Sequence, residues 1–370
     1  MAKAAVLTGV DQPLEIRDDI AVAAPGPGEV RIRVGASGVC HSDLSVQNGT
    51  IPLPTPIVLG HEGAGIIEEI GEGVTGLAPG DHVVLSFVPQ CGECYQCRRG
   101  QGYLCEKSAM AAMGGMLDGT TRLSSGDTAL FQMAMCGTFS DEIITPAISC
   151  VKIADTIPLK LAALIGCGVL TGVGAALNTA DIREGDTVAV IGCGGVGLNV
   201  IQGAKIAGAG EIVAIDMGES ALERAEKFGA TVTVKADRDD VAAKVQAASG
   251  GRGADSVFEV IGLESTMNQA IELARPGGEA ILVGVPRMDV FLNLNAAFTF
   301  LYLNKTVKGC WYGSANVDTD VPKLLGLYET GELDLSGLIS QEIEIEGIND
   351  AFEDMKAARV ARSVINYAGD

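Results

Sequence analysis

The sequence predicts an α/β protein in which a doubly wound parallel sheet follows a mainly β region. After about residue 158, apolar strands alternate with helices, as in "DTVAVIG", "GVGLNVIQGAKIAGA" and "EIVAID", which ends at Asp216. From residue 1 to about 150, short β-rich segments such as "EVRIRVGASGV" and "GDHVVLSF" are interrupted by Gly and Pro, without a long helical period. The length of 370 residues, 47% of them hydrophobic, suits two domains.

Charge and composition limit the classes of function. A net charge of -21 with only 26 basic residues argues against nucleic acid, whose phosphates need clustered Lys and Arg. The first residues, "MAKAAVLTGVDQPLEI", lack the pattern of a signal peptide. The uncharged run "LAALIGCGVLTGVGAALNTA" from Leu161 is long enough to span a membrane, but its glycines favour a buried helix and turn. We therefore expect a cytoplasmic protein without a membrane or nucleic-acid partner.

Four of the ten cysteines lie within fifteen residues, with the spacing C-x2-C-x2-C-x7-C. In a reducing compartment such clusters are more often metal ligands than disulfides. Four thiolates at short loop spacing form a closed tetrahedral zinc site that braces the surrounding loop. Disulfides and an iron–sulfur cluster are the alternatives, and zinc is favoured. The predicted structural zinc ligands are Cys91, Cys94, Cys97 and Cys105.

The sequence "GCGGVG" follows an apolar strand and opens a helix, which is the context of a dinucleotide-binding turn. Its glycines permit a tight turn, the approach of a pyrophosphate and close helix–strand packing, and the helix start offers free N–H groups. Asp216 ends the next strand, where a carboxylate binds ribose hydroxyls and repels a 2′-phosphate, so NAD is favoured over NADP. The turn comprises Gly192, Gly194, Gly195, Val196 and Gly197.

A second candidate metal site is dispersed along the chain. Cys40 lies in "GVCHSDL", His61 in "LGHEGAG" and Cys167 in "LIGCGVL". One imidazole and two thiolates supply three zinc ligands and leave a fourth position for water or substrate, as in catalytic zinc sites. Spacing alone leaves open a buried structural histidine and ordinary buried thiols.

The order of these motifs resembles the zinc-dependent, medium-chain alcohol dehydrogenase family over essentially the whole chain. The shared strings include "CHSD", "GHEGAGI", "PQCGECYQC", "LIGCGVLTG", "GCGGVG", "FEVIG" and "ARSVINY". The resemblance implies a Rossmann NAD-binding domain at residues 169–311, inserted in a GroES-like catalytic domain formed by residues 1–168 and 312–370. It also implies a homodimer joined through the NAD domains, near "TVKGCWY".

The resemblance assigns roles to individual residues. Cys40, His61 and Cys167 match catalytic zinc ligands, and Glu62 matches the acidic residue below the metal. Asp43 matches the carboxylate that orients the ligand histidine, and Ser42 matches the hydroxyl that takes the substrate proton. The remaining implied contacts are His41 and Arg362 with the pyrophosphate, and Ile51, Phe87, Met133 and Trp311 in an apolar substrate pocket.

Three positions depart from branches of the family. Ala109 and Ile51 stand where the glutathione-dependent formaldehyde dehydrogenases carry Arg and Asp, which argues against glutathione conjugates. Ser45 stands where the animal enzymes end their proton relay with a histidine. The resemblance thus implies an NAD- and zinc-dependent dehydrogenase of hydrophobic primary, possibly aryl, alcohols. The alternatives are a relative with tightly bound NAD recycled by an external acceptor, a glutathione-dependent formaldehyde dehydrogenase, and a zinc-ribbon module that regulates nucleic acid.

Overall fold

The computed structural model of the protein describes residues 1–111 and 113–368, which form two compact units. The first unit comprises Met1–Gly168, Asn316–Tyr328 and the chain from Leu335 onward, and the second comprises Val169–Ala315 and Glu329–Asp334. The return to the first unit therefore begins at residue 316, not at the expected residue 312. Residues 312–315 contact the first helices of the second unit: the Ser314 and Thr179 hydroxyls lie 2.8 Å apart, and Asn178 Nδ2 donates to the Gly313 carbonyl at 3.3 Å.

The N-terminal part of the first unit is mainly β, as the sequence predicts. Its short strands bury alternating or continuous apolar positions, and its helices are short. The strands are β1 (Ala2–Leu7), β2 (Glu15–Val22), β3 (Glu29–Val39), β4 (Ile57–Val58), β5 (Glu62–Ile70), β6 (His82–Leu85), β7 (Leu123–Ser125), β8 (Thr128–Gln132), β9 (Glu142–Pro146) and β10 (Cys150–Ile153). The helices are α1 (His41–Gln47), α2 (Tyr95–Arg98), α3 (Ser108–Ala111) and α4 (Leu159–Leu164).

The second unit alternates helices and parallel strands. Its six-stranded sheet has the order 3-2-1-4-5-6 when its strands are numbered along the unit, and all pairs are parallel. This arrangement confirms the predicted doubly wound sheet. The elements are α5 (Leu170–Gly174), β11 (Thr187–Ile191), α6 (Gly195–Ile206), β12 (Glu211–Asp216), α7 (Glu219–Phe228), β13 (Val232–Lys235), α8 (Val241–Ala248), β14 (Ala254–Glu259), α9 (Glu264–Leu273), β15 (Ala274–Leu282) and β16 (Thr306–Gly309).

The returning chain completes the sheet of the first unit. It contains α10 (Val317–Glu329), β17 (Ile339–Ile343), α11 (Ile348–Lys356) and β18 (Arg362–Asn366). The strands β1, β2, β7, β8 and β4 close a barrel. A separate sheet has the order β10-β6-β5-β3-β18-β17, with β9 also paired with β3. A strand from near the end of the chain, β18, thus lies beside β3 from its first part.

The register of this sheet brings three distant parts of the sequence together. In the antiparallel pair β3–β5, Gly38 lies opposite Glu62. In the antiparallel pair β18–β3, Ser363 lies opposite Val39. The end of β3 and the starts of β5 and β18 therefore meet at one edge, and Cys40 follows β3 directly.

The apolar run that reaches membrane-spanning length is a helix from Leu159 to Thr179. In its most apolar window, 89% of the residues are buried inside the protein. This agrees with the interpretation of the run as a buried helix. Two π-helical turns interrupt it, one at Ile165–Val169 and one at Ala175–Thr179.

Candidate functional site

The side chain of Asp43 holds together the first half of the dispersed site. Its Oδ2 accepts a hydrogen bond from the Cys40 backbone N–H at 2.9 Å, and its Oδ1 accepts one from the Gly60 N–H at 3.0 Å. Oδ1 also lies 3.1 Å from His61 Nδ1. Asp43 is completely buried, so these contacts replace its hydration.

The contact with Asp43 decides which nitrogen of His61 is available. A carboxylate accepts a hydrogen bond from the N–H group of Nδ1, and in that tautomer the lone pair of Nε2 is available to a metal. Burial by itself would lower the pKa of His61, but the charge and hydrogen bond of Asp43, together with those of Cys40, outweigh burial and raise the pKa above its usual range. His61 is thus oriented by the same carboxylate that fixes the Cys40 backbone.

Cys167 lies in the π-helical turn Ile165–Val169, a kind of helical irregularity often found at functional sites. Its Sγ, Cys40 Sγ, a ring nitrogen of His61 and a carboxylate oxygen of Glu62 all lie within 4.8 Å of one another. A hydrogen bond from Cys167 lowers the pKa of the Cys40 thiol, and the same contact raises the pKa of Cys167.

Glu62 and Arg362 form a buried ion pair beside these ligands. Arg362 Nη2 lies 3.1 Å from Glu62 Oε1, and Nη1 donates to the Val39 carbonyl at 3.2 Å. Burial raises the pKa of Glu62 to about 7, although the charge of Arg362 opposes this. A side chain at Gly38 would overlap the Glu62 carboxylate, so the space for the pair depends on that glycine.

The position of Arg362 was not evident from the sequence. Its guanidinium is buried at the candidate metal site, and its expected contact with a pyrophosphate stays a prediction. The register of β18 against β3 places it there, and only its partner Glu62 lay in a motif visible in the sequence. No local pattern in "ARSVINY" predicts an ion pair with a residue three hundred positions earlier.

The donor set fits a zinc ion held by Cys40, His61 and Cys167. Two soft thiol sulfurs and an imidazole with its other nitrogen bound to a carboxylate are the ligands zinc prefers. All are buried, and a divalent cation would compensate the charge of two deprotonated thiols. Three protein ligands leave a fourth position, which distinguishes such a site from a closed structural one.

The four cysteines of the loop after β6 converge in the same way. Their sulfurs lie within 4.8 Å of one another, and all ten cysteines of the chain carry free thiols, which removes the disulfide alternative. The backbone N–H groups of Cys94 and Cys97 each donate to the sulfur of the cysteine three residues earlier, at 3.4 Å. The N–H of Cys97 lowers the pKa of Cys94 to about 6, whereas burial raises the pKa of Cys97 to about 12.

The returning chain braces this four-cysteine loop. Asn316 Oδ1 accepts from the Gly102 N–H at 2.8 Å, and its Nδ2 donates to the Gly100 carbonyl at 2.9 Å. The Val317 N–H, at the start of α10, donates to Gln90 Oε1 at 3.0 Å. The four-cysteine loop is therefore fastened to a segment of the chain more than two hundred residues later.

The Gly-rich turn of the second unit has the geometry expected of a phosphate-binding turn. Gly192 adopts a positive φ of 99°, and a side chain at Gly197 would overlap the Gly192 carbonyl. Gly194 precedes α6, whose first residues are Gly195 and Val196. Asp216 Oδ2 accepts from the Cys193 N–H at 2.7 Å, so the turn is bonded directly to the carboxylate at the end of β12.

Some of the residues predicted to line the substrate pocket or to move the proton lie beside the predicted metal ligands, and others do not. The Phe87 ring is 5.5 Å from the His61 ring and nearly perpendicular to it. The Cys40 thiol is 3.9 Å from the Ser42 hydroxyl, which is half-buried, and His41 begins α1 with an exposed side chain. Met133 is buried in a core cluster against which Ile51 packs. Trp311 belongs to the second unit and is 48% exposed.

Comparisons with known families match both units. Residues 26–155 match the family model of the alcohol dehydrogenase GroES-like domain, and residues 195–330 match that of the zinc-binding dehydrogenases. An NDMA-dependent alcohol dehydrogenase of Amycolatopsis methanolica is 39% identical over 371 residues, which cover 100% of this chain and 99% of that protein. The class-3 alcohol dehydrogenase of Drosophila melanogaster is 40% identical, over 99% of this chain and 97% of that protein.

A solved structure agrees over the same length. The crystal structure of benzyl alcohol dehydrogenase from Acinetobacter calcoaceticus matches with a TM-score of 0.93 and 30% sequence identity. The match covers 99% of each chain. The similarity therefore includes both units and the segments that contain all seven predicted zinc ligands.

The two ligand groups predict two zinc ions per chain, measurable by elemental analysis of freshly purified protein. Cys40→Ser should leave one zinc and an intact fold, because the other sulfurs are untouched. Cys97→Ser should also leave one zinc but lower the stability, since a closed site contributes folding free energy. Cys150→Ser is the matched control and should retain two. A wild-type content of one zinc or none contradicts the assignment.

Proposed function

Because the chain belongs to the zinc-dependent medium-chain alcohol dehydrogenase family, and is thus an oxidoreductase acting on alcohols, we propose that it transfers hydride reversibly from a hydrophobic primary alcohol to NAD. The products are the aldehyde, NADH and a proton. The observation that carries this proposal is the buried group of Cys40, His61 and Cys167, whose ligand atoms lie within 4.8 Å of one another and in which Asp43 holds Cys40 and His61.

In this proposal those three residues hold the catalytic zinc. When bound, the ion supplies a positive charge that stabilises an alkoxide at neutral pH. Asp43 keeps His61 in the tautomer that presents Nε2, and it fixes the Cys40 backbone in the same position. Ser42, 3.9 Å from the Cys40 sulfur, is close enough to the ligands to take the proton of the alcohol.

Beyond Ser42, the route of the proton is affected by Ser45, which stands where the animal enzymes of the family carry a histidine. Ser45 cannot act as a base near neutral pH, whereas a histidine, with an unperturbed pKa of about 6.5, could. The proton must leave Ser42 through ordered water or another group, and His41 is the nearest candidate in sequence. We assign His41 to the pyrophosphate instead, as the family resemblance implies.

The second unit is proposed to bind NAD through the turn from Gly192 to Gly197. The N–H groups at the start of α6 would receive the pyrophosphate. The Asp216 carboxylate is held by two backbone N–H groups and retains lone pairs for ribose hydroxyls. Its fixed negative charge supports NAD as the coenzyme rather than NADP.

Two observations bear on the substrate. The Acinetobacter structure is that of a benzyl alcohol dehydrogenase, which supports a hydrophobic, possibly aryl, alcohol for this chain. The Ala109 and Ile51 side chains supply no charge for a glutathione conjugate, which disfavours that alternative. The name of the Amycolatopsis relative specifies a dependence on NDMA. It therefore favours, as a second candidate function, a dehydrogenase whose tightly bound NAD is recycled by an external acceptor.

We also propose a homodimer joined through the edge of the six-stranded sheet. β16 is the last strand in the order and pairs only with β15 among the described strands. The preceding helical turn, Ala297–Tyr302, exposes Phe298 by 61%, Leu301 by 75% and Tyr302 by 71%. An open strand edge beside such a patch is the kind of surface that a second copy of the chain covers.

All ten thiols are free, which supports a reducing, cytoplasmic location.

A substrate screen with free NAD as the only oxidant tests the reaction. We expect steady turnover of benzyl alcohol and medium-length primary alcohols, and little of S-hydroxymethylglutathione, because the charged groups that would bind that adduct are missing. Turnover of the glutathione adduct above that of every simple alcohol overturns the substrate assignment. Turnover that requires an added acceptor, while NAD stays bound, favours the second candidate.

Sedimentation equilibrium tests the dimer. The wild-type chain should have twice the mass of one chain or a multiple of it, and Leu301→Glu should shift the equilibrium toward the monomer, because it places a charge in the apolar patch. Met113→Glu changes a similarly exposed apolar residue of the first unit and should leave the mass unchanged. A monomeric wild type, or no difference between the two variants, excludes this interface.

A further inference from the structure

The carboxyl ends of β12 and β13 carry more charged groups than the single aspartate that the dinucleotide motif predicts. From their arrangement we infer that Glu219, through its ion pair with Arg238, is a second determinant of the preference for NAD over NADP. This inference rests on the proposed binding of NAD at Asp216.

The Asp216 carboxylate is held by two backbone N–H groups. Its Oδ1 accepts from the Gly218 N–H and its Oδ2 from the Cys193 N–H, both at 2.7 Å. It forms no ion pair with a described Lys or Arg. Asp216 is therefore a half-buried, fixed carboxylate whose charge is balanced by backbone dipoles rather than by a cation.

Glu219 lies at the start of the helix that follows Asp216. Gly218 caps α7, and Glu219 is the first residue of that helix. The hydrogen bond from Gly218 to Asp216 holds the start of α7 against the Asp216 carboxylate. A second carboxylate thus follows Asp216 by three residues at the same edge of the sheet. The acids near this edge include Asp216, Glu219, Asp237 and Asp239, and Lys235 and Arg238 are the cations that pair with them or bond beside them.

Lys235 and Arg238 each form an ion pair at this edge of the sheet. Lys235 lies opposite Asp216 in the β12–β13 register, but its Nζ pairs with Asp237 Oδ1 at 3.0 Å and donates to the Met217 carbonyl. Arg238 Nη2 pairs with Glu219 Oε2 at 3.2 Å. Lys235 and Arg238 are therefore each already bound to an acid.

These contacts disfavour a 2′-phosphate in two ways. Glu219 adds a second negative charge near the one on Asp216, and it holds the arginine that would otherwise be a partner for a phosphate. Arginine is the side chain that binds the 2′-phosphate of NADP in related sheets, since its fork matches a phosphate in geometry. NAD, which has a hydroxyl at that position, meets neither obstacle.

The test is a fluorescence titration of the full-length holoprotein with NADPH and, separately, with NADH. Glu219→Gln should bind NADPH about fivefold more tightly than wild type, the effect of one charge at an exposed pair, and should bind NADH within about twofold of wild type. Glu223→Gln, which removes one exposed charge from the same helix a turn later, should change neither affinity. In an Arg238→Ala background, Glu219→Gln should give a clearly smaller gain, because only the loss of the Glu219 charge then favours the phosphate.

Two results would overturn the inference: equal NADPH affinity for Glu219→Gln and Glu223→Gln, or a gain from Glu219→Gln that is as large in the Arg238→Ala background as in the wild-type background. All the substituted residues are exposed, so a thermal melt is sufficient to establish that each variant is folded. The proposed function has a separate readout. If wild type binds NADH and oxidises alcohol with NAD, a negative result here removes only the role of Glu219. If wild type does not bind NADH, the proposed coenzyme is wrong.

Discussion

The contact of the Asp43 carboxylate with three backbone and side-chain groups is the constraint on which the candidate metal site depends. Cys40 follows a strand, His61 precedes another, and neither position alone directs a ligand atom toward the other. One buried carboxylate binds the Cys40 N–H, the Gly60 N–H and the His61 ring. Without that carboxylate, neither the tautomer of His61 nor the backbone at the end of β3 would be fixed. A metal site with precise geometry therefore needs the Asp43 carboxylate.

Charge balance explains why the remaining neighbours of the site are buried. Two thiols that become thiolates, together with Asp43 and Glu62, would place several negative charges in a buried volume. Arg362 supplies one compensating charge, with its guanidinium 3.1 Å from Glu62. A divalent cation would supply the rest. The site is therefore built for a resident metal, and the buried ion pair beside it is part of the same charge balance rather than an independent source of stability.

Much of this arrangement could be predicted from the sequence, and the limit of prediction has a physical cause. The doubly wound sheet follows from the alternation of strands and helices, and the Gly192–Gly197 turn from its place between a strand and a helix. The four cysteines of the loop are close in sequence, so their convergence is local. The contacts of Arg362 with Glu62, and of Asn316 with Gly100 and Gly102, depend on strand register and on the path of the returning chain. The same is true of the return at residue 316 rather than 312, because residues 312–315 contact a helix far earlier in the sequence.

The most direct test of the central claim is anomalous diffraction at the zinc edge from crystals of the full chain. The account predicts a peak bound by Cys40 Sγ, His61 Nε2 and Cys167 Sγ, at about 2.0–2.3 Å, with Glu62 outside the ligand set and paired with Arg362. A zinc ion with a Glu62 oxygen as its fourth protein ligand would close the position that a substrate needs. That result, or a map without a peak at these residues, would contradict the account.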